Sequence, residues 1–121
     1  MIQLDRVNKF YGDLHALKDI SFRVNRGEIV GFLGPNGAGK TTTMKILNGF
    51  MAASSGTAEV AGFRADIDSL ELKRRIGYLP ENVSLYMDMT VDEYLRFVAR
   101  AKRVPRRDLR AKVDRVAGQC G

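Results

Sequence analysis

Residues 34–42 read Gly34-Pro35-Asn36-Gly37-Ala38-Gly39-Lys40-Thr41-Thr42. Gly34, Gly39, Lys40 and Thr41 fall on the fixed places of the pattern G-x-x-x-x-G-K-[ST]. A phosphate group carries several anionic oxygens, so a loop that binds one must turn several backbone N–H groups inward together. Glycine permits that concave path because it lacks a Cβ and tolerates positive φ. A helix opening at Gly39 adds the partial positive charge of its N-terminus. From there Lys40 reaches β- and γ-phosphates as a point charge, the Thr41 hydroxyl is placed for Mg²⁺, and Thr42 offers a second hydroxyl to phosphate. Pro35, Asn36, Gly37 and Ala38 supply the turning backbone between the two fixed glycines. The spacing of Gly34, Gly37 and Gly39 does not match G-x-G-x-x-G, which disfavours a dinucleotide fold. The expected ligand is a nucleoside triphosphate with Mg²⁺.

The flanks agree with that reading. Ile29-Val30-Gly31-Phe32-Leu33 is a continuous apolar run that predicts a strand covered on both faces, as in a parallel sheet. Residues 41–47 predict a helix that ends near Asn48-Gly49. Upstream, Ile2, Leu4 and, after a break, Val7 and Phe10 predict an opening strand that turns at Tyr11-Gly12-Asp13. Residues 20–24 alternate apolar and polar side chains with period two, and Asn25-Arg26-Gly27 reads as a hairpin turn. Strand signals return at 57–61 and 76–79, with a short helix between them at about 70–75.

After residue 82 the character changes to helical. Thr90 with Glu93 is a capping-box pattern, followed by Val91, Tyr94, Leu95 and Val98 at helical spacing. Pro105 separates this helix from a second stripe of Leu109, Val113, Val116 and Ala117, with Gly118 as its expected C-cap.

Charge is distributed unevenly over the 121 residues. The formal net charge is +6 and the sequence pI about 9.8. Residues 1–95 carry 11 basic and 12 acidic side chains, whereas residues 96–121 carry 9 basic and 2 acidic. A nucleic-acid surface would interleave aromatics with such cations, but aromatic residues stop at Phe97. Arginine stems covering apolar helix surface, or a face toward anionic lipid or a partner, suit the basic tail. More simply, +6 is the charge expected of an incomplete domain, and no nucleic-acid partner is expected. Cys120 is the single cysteine, so no internal disulfide forms.

Taken together, Leu17-Lys18-Asp19-Ile20-Ser21-Phe22, Arg26-Gly27-Glu28-Ile29 and the glycine loop resemble the ATP-binding subunit of an ABC transporter. Ser55-Gly56-Thr57, Ile76-Gly77-Tyr78-Leu79-Pro80-Glu81 and Met89-Thr90-Val91-Asp92-Glu93-Tyr94-Leu95 extend the resemblance almost end to end. Leu79-Pro80-Glu81-Asn82 followed by Leu85-Tyr86 is similar to the ABC-2-type export ATPases of multidrug, polysaccharide and gliding-motility systems. The resemblance implies an α/β P-loop NTPase of the ABC type. Residues 1–82 would form the nucleotide-binding β-subdomain with part of the parallel-sheet core, and residues 83–121 the start of the helical subdomain.

It also implies roles. Tyr11 stacks on the adenine ring of ATP, and Glu81, where most of the family has glutamine, bridges Mg²⁺ to the transporter-facing subdomain. A carboxylate is a hard oxygen donor that suits this metal. Tyr86 and Met87 would lie near the groove for the membrane partner. His15, the only histidine, is expected to be a surface residue. The implied partners are a second ATP-binding subunit, in an ATP-sandwich dimer, and a transmembrane permease subunit. The implied place is the cytoplasmic face of a bacterial cell membrane.

The family's signature sequence, its acidic strand end with the general base, and its switch histidine do not occur in these residues. The chain is therefore expected to be the N-terminal part of a longer domain that does not turn ATP over alone, leaves an apolar edge at 29–33, and is marginally stable. Two other readings keep the phosphate loop: a soluble ABC-family ATPase without a membrane partner, and an unrelated small P-loop NTPase.

Overall fold

A computed structural model describes every residue of the chain except Ser84. It divides into two compact units, Met1–Tyr78 and Leu79–Gly121, each described by itself.

The first unit is built on a four-stranded antiparallel sheet. Its strands are β1 (Ile2–Tyr11), β2 (Leu14–Val24), β3 (Ser55–Val60) and β4 (Phe63–Arg64), in the order β2-β1-β3-β4. The break in alternation between Leu4 and Val7 is a β-bulge. Leu4 pairs with Phe22 and Val7 with Ile20, so β1 spends three residues where β2 spends two. The extra residue reverses the parity of the strand, which is how Leu4 and Val7 both point into the core. Arg6 takes φ 45° at this kink. Gly56 on β3 passes so close that a Cβ there would lie 2.2 Å from the Arg6 carbonyl oxygen, and its own φ is 80°. Asn8 locks the corner: its side-chain amide donates to the Arg6 carbonyl at 3.1 Å and to Asp19 Oδ1 at 2.9 Å. Asn8 Oδ1 accepts the Asp19 backbone amide at 3.0 Å.

Helix α1 (Lys40–Leu47) packs on β2 and β3, burying Thr43, Ile46 and Leu47 against Leu4, Val7, Leu17 and Ala58. It stops at Asn48-Gly49 as the sequence predicts. Gly49 at φ 64° donates to the Ile46 carbonyl, and Phe50 donates to the Lys45 carbonyl, the paired bonds of a Schellman motif. Helix α2 (Ser69–Arg75) follows the tight Ala61-Gly62 turn and β4, and adds Leu72 to the core.

Three expectations fail. Residues 29–33 form no ladder, and Ile29 and Leu33 are almost fully exposed. A run suited to the middle of a parallel sheet needs a strand on each side, and no described strand pairs with it. The Asn25-Arg26-Gly27 turn does form, closed by the Glu28 amide donating to the Asn25 carbonyl at 3.3 Å, but it leads into a stretch without regular secondary structure. Phe32 alone of this run finds a ring partner, Phe22, at 5.6 Å. Residues 76–79 are likewise outside any ladder, although Ile76 packs on the core and Tyr78 meets the Phe50 ring edge-on. The parallel part of the expected core is thus not assembled among the described residues.

The second unit is a helix pair, α3 (Val91–Ala101) and α4 (Arg106–Cys120). The capping box is present: Thr90 Oγ1 accepts the Glu93 amide, and the Glu93 carboxylate accepts the Thr90 amide at 2.8 Å. The Thr90 backbone amide first, and its hydroxyl second, both donating to the Glu93 carboxylate, hold that carboxyl below its usual range. Leu109 and Val113 are buried and Val116 half-buried, but Ala117 is exposed. The third failure is Gly118, which does not cap α4. The helix runs on to Cys120, because a glycine flanked by good helical hydrogen bonding is tolerated within a helix at a cost of about 1 kcal/mol.

Candidate functional site

The glycine loop enters α1 through two left-handed residues, Gly37 at φ 82° and Gly39 at φ 84°. Gly39 is the N-cap and carries no side-chain cap, so the first-turn amides of α1 keep no intrahelical acceptor. Ala38 donates its amide to the Pro35 carbonyl at 3.2 Å, closing a turn within the loop. Lys40 then folds back over it: Nζ donates to the Gly34 carbonyl at 2.6 Å and the Pro35 carbonyl at 2.7 Å. An ammonium has three protons, and this arrangement spends two on holding the loop's shape while leaving one to aim at an anion.

Two supports lie behind the loop. Thr43, buried, donates its hydroxyl to the Gly39 carbonyl at 3.0 Å while its amide donates to the same oxygen at 2.8 Å. On the sheet side, a Cβ at Gly39 would lie 2.4 Å from Leu17 Cδ2 and 3.0 Å from the Ala16 carbonyl oxygen. The second loop glycine is therefore required twice, for its φ and for the approach of β2. Residues 34–38 are exposed, Gly39, Lys40 and Thr42 half-buried, and Thr41 exposed. An uncapped helix end, two left-handed glycines and a lysine with one proton to spare suit a tetrahedral phosphate. Thr41 contributes one hydroxyl of the kind Mg²⁺ takes.

Tyr11 ends β1 and is 43% exposed. Its hydroxyl donates to Met51 Sδ at 3.2 Å, and Lys9 Nζ stands 5.6 Å from its ring centroid. His15 is not the simple surface residue expected. It is half-buried, stacks on Phe10 with centroids 4.0 Å apart, and shares a 2.8 Å hydrogen bond between Nε2 and Asn8 Oδ1. Glu81 belongs to the second unit and is exposed, as are Tyr86, whose ring meets Phe97 edge-on, and Met87.

The ABC transporter family model matches residues 17–120. The chain belongs to the ABC transporter family. Its fold follows that membership: it aligns with a solved "ATP binding subunit of ABC transporter" at TM-score 0.79 and 33% identity, over 88% of this chain and 45% of that one. It aligns equally well, at TM-score 0.79 and 26% identity, with a dimeric post-hydrolysis ATP-binding cassette, MJ0796, bound to ADP and Pi. That match covers 93% of this chain and 54% of the cassette. The probable multidrug ABC transporter ATP-binding protein YbhF of Escherichia coli (strain K12) is 36% identical over 121 residues. These are 100% of this chain and 21% of YbhF, so the chain spans about a fifth of that relative. Within the ABC family the chain is a P-loop α/β cassette segment, shorter than the solved cassettes it resembles. No helix among the described residues is long and apolar enough to cross a membrane.

Sequence reading missed Lys9, Leu17, Thr43 and Met51 as supports of the site. Lys9 and Tyr11 were detectable in principle, since a spacing of two on a strand puts both on one face. Met51 was not, because only the fold brings it beside Tyr11.

Proposed function

We propose that this chain is the phosphate-gripping portion of an exporter-type ABC transporter ATP-binding subunit. The observation that carries this reading is the Lys40 ammonium holding the Gly34 and Pro35 carbonyls across a loop that ends in an uncapped helix. In the proposed complex the first-turn amides of α1, the loop amides that carry no bond within the loop, and the free Lys40 proton bind the β- and γ-phosphates of ATP. Thr42 donates a second hydroxyl bond, and Tyr11 stacks on adenine. Thr41 Oγ1 would be the Mg²⁺ ligand of the phosphate loop, and the Glu81 carboxylate would serve as a metal-sensing group. When bound, the ion would offset the negative charge of the phosphates.

The YbhF relative supports an export role, and the dimeric MJ0796 cassette supports pairing of two ATP-binding subunits around nucleotide. The membrane partner is a permease subunit, which places the assembly on the cytoplasmic face of the membrane. Residues 1–82 act as the nucleotide-binding part, and residues 83–121 begin the part facing the permease. Hydrolysis requires a general base that orients water, and these residues supply none in that role.

Titration calorimetry with MgATP tests the grip. Lys40→Ala is expected to weaken binding by at least about tenfold, the value of one charge-assisted phosphate contact in a partly dehydrated site. Unchanged affinity would overturn the reading. Phosphate release by the 121 residues alone is expected to stay at background.

A further inference from the structure

Tyr11 is held by more than its own strand. Along β1, period two puts Lys9 and Tyr11 on one face and Phe10 on the other, where Phe10 stacks on His15. Lys9 Nζ donates to the Ala52 carbonyl at 2.9 Å and stands 5.6 Å from the Tyr11 centroid. The Tyr11 hydroxyl reaches Met51 Sδ. Two more bonds fasten the same stretch: the Ser54 amide donates to the Asn8 carbonyl at 2.8 Å, and the Phe10 amide donates to Ser54 Oγ at 3.1 Å. Residues 51–54 follow directly on the Schellman turn that ends α1, the helix opened by the glycine loop. A short, capped connection therefore ties the Tyr11 ring to the element that carries the phosphate amides.

We infer that Lys9 is a positioning residue for nucleotide-base recognition, its anchored ammonium occupying one face of the Tyr11 ring and reserving the other for the base. Two physical effects follow. The cation is attracted to the ring quadrupole and fixes the ring's tilt, so less side-chain freedom is lost when a base arrives. It also draws π-density toward itself, which makes the opposite face a better partner for an electron-rich purine. The ammonium is committed to Ala52 and Tyr11 in this arrangement, so its effect is exerted on the base and not on the phosphates.

The inference rests on the proposed stacking of Tyr11 on adenine, and the test separates the two. In the full-length protein, affinities for MgATP and for Mg-tripolyphosphate, which has no base, are measured for wild type, Lys9→Met, Lys9→Arg, Tyr11→Ala and the Tyr11→Ala/Lys9→Met double variant. Thermal unfolding of each reports folding. Lys9→Met keeps the apolar stem and removes the charge; it is expected to weaken MgATP about two- to fivefold and leave tripolyphosphate unchanged. Lys9→Arg, which keeps a cation over the ring, restores ATP affinity. In the double variant the Lys9 change adds nothing to Tyr11→Ala. If Tyr11→Ala leaves ATP affinity intact, the stacking reading itself falls. If Tyr11→Ala weakens ATP but Lys9→Met does not, the brace alone is overturned. Equal weakening of tripolyphosphate by Lys9→Met at an unchanged melting temperature overturns it too, by making Lys9 a phosphate contact. Should Lys9→Met lower the melting temperature, the Lys9→Arg rescue and the ratio of the two affinities still decide, because a general loss of folding weakens both ligands alike.

Discussion

Strand β1 and residues 29–33 lie in the same unit, and the second is the more apolar of the two. β1 interleaves Asp5, Arg6, Asn8 and Lys9 with its apolar residues, yet it is the centre of the sheet and buries Leu4 and Val7. Residues 29–33 hold four large apolar side chains in five positions and make no ladder. The difference lies in the partners. An antiparallel neighbour for β1 arrives within two residues, through the Gly12-Asp13 turn, and a second arrives with β3. A parallel strand depends on neighbours brought in by long crossovers, and none of the described strands takes that place. Apolar content reports what a segment tolerates around it, whereas pairing reports what is there.

Paired truncations offer the strongest way to break this comparison. Leu17→Ala, in the sheet, removes a side chain fully enclosed by the core and is expected to cost about 2–5 kcal/mol. Leu33→Ala, the same chemical change at an exposed position, is expected to cost less than about 0.5 kcal/mol in the 121-residue chain. Urea unfolding monitored by circular dichroism measures both. Similar losses would mean that residues 29–33 are paired in solution.

Gly39→Ala sharpens the comparison at the junction of sheet and loop. The new methyl would meet Leu17 Cδ2 and force a left-handed φ on alanine, so a loss of about 1–2 kcal/mol is expected, with weaker MgATP binding alongside. Loss of ATP affinity without loss of stability would show that Leu17 gives way and only the loop shape matters.

The smallest expected effect is in the second unit, where order comes from local caps. Glu93 and Asp92 are both held below their ordinary values, Glu93 by the Thr90 amide and hydroxyl, Asp92 by its hydrogen bond to Arg96. A carboxyl with a depressed folded-state value stabilises the helix above the unfolded value, and that contribution is lost as pH falls through the folded one. Amide-exchange protection at the start of α3 is therefore expected to be constant at neutral pH and to decline below about pH 4. Glu93→Gln should flatten that decline. A protection profile that stays level down to the acid limit would remove the cap from the account.

Much of the site was legible in the residues because its chemistry is local. Gly34, Gly37, Gly39 and Lys40 sit within seven positions, and the requirement for turned amides and a cation is met by residue type and spacing alone. The same holds for the Thr90–Glu93 cap and the Asn48-Gly49 helix end, whereas the break between Leu4 and Val7 was visible but its cause, a bulge, was not. Tyr11 and Glu81 were reached only through the family resemblance, since one aromatic at a turn or one glutamate after a proline carries no chemistry of its own.

What depended on distant contacts was not legible. Period and composition cannot show that residues 29–33 and 76–79 lack partners, that Leu17 closes against Gly39, or that Lys9, Met51 and Ala52 converge on one ring. By itself the sequence determined a glycine-rich loop opening a helix, a strand-rich start and a capped helical end. Turns, caps and loops are encoded by short-range sterics and hydrogen bonding. The tertiary structure decided which apolar segments are buried and which side chains brace the site. Both depend on surfaces that meet only after the chain has folded, and neither strand pairing nor side-chain convergence is a property of any single segment.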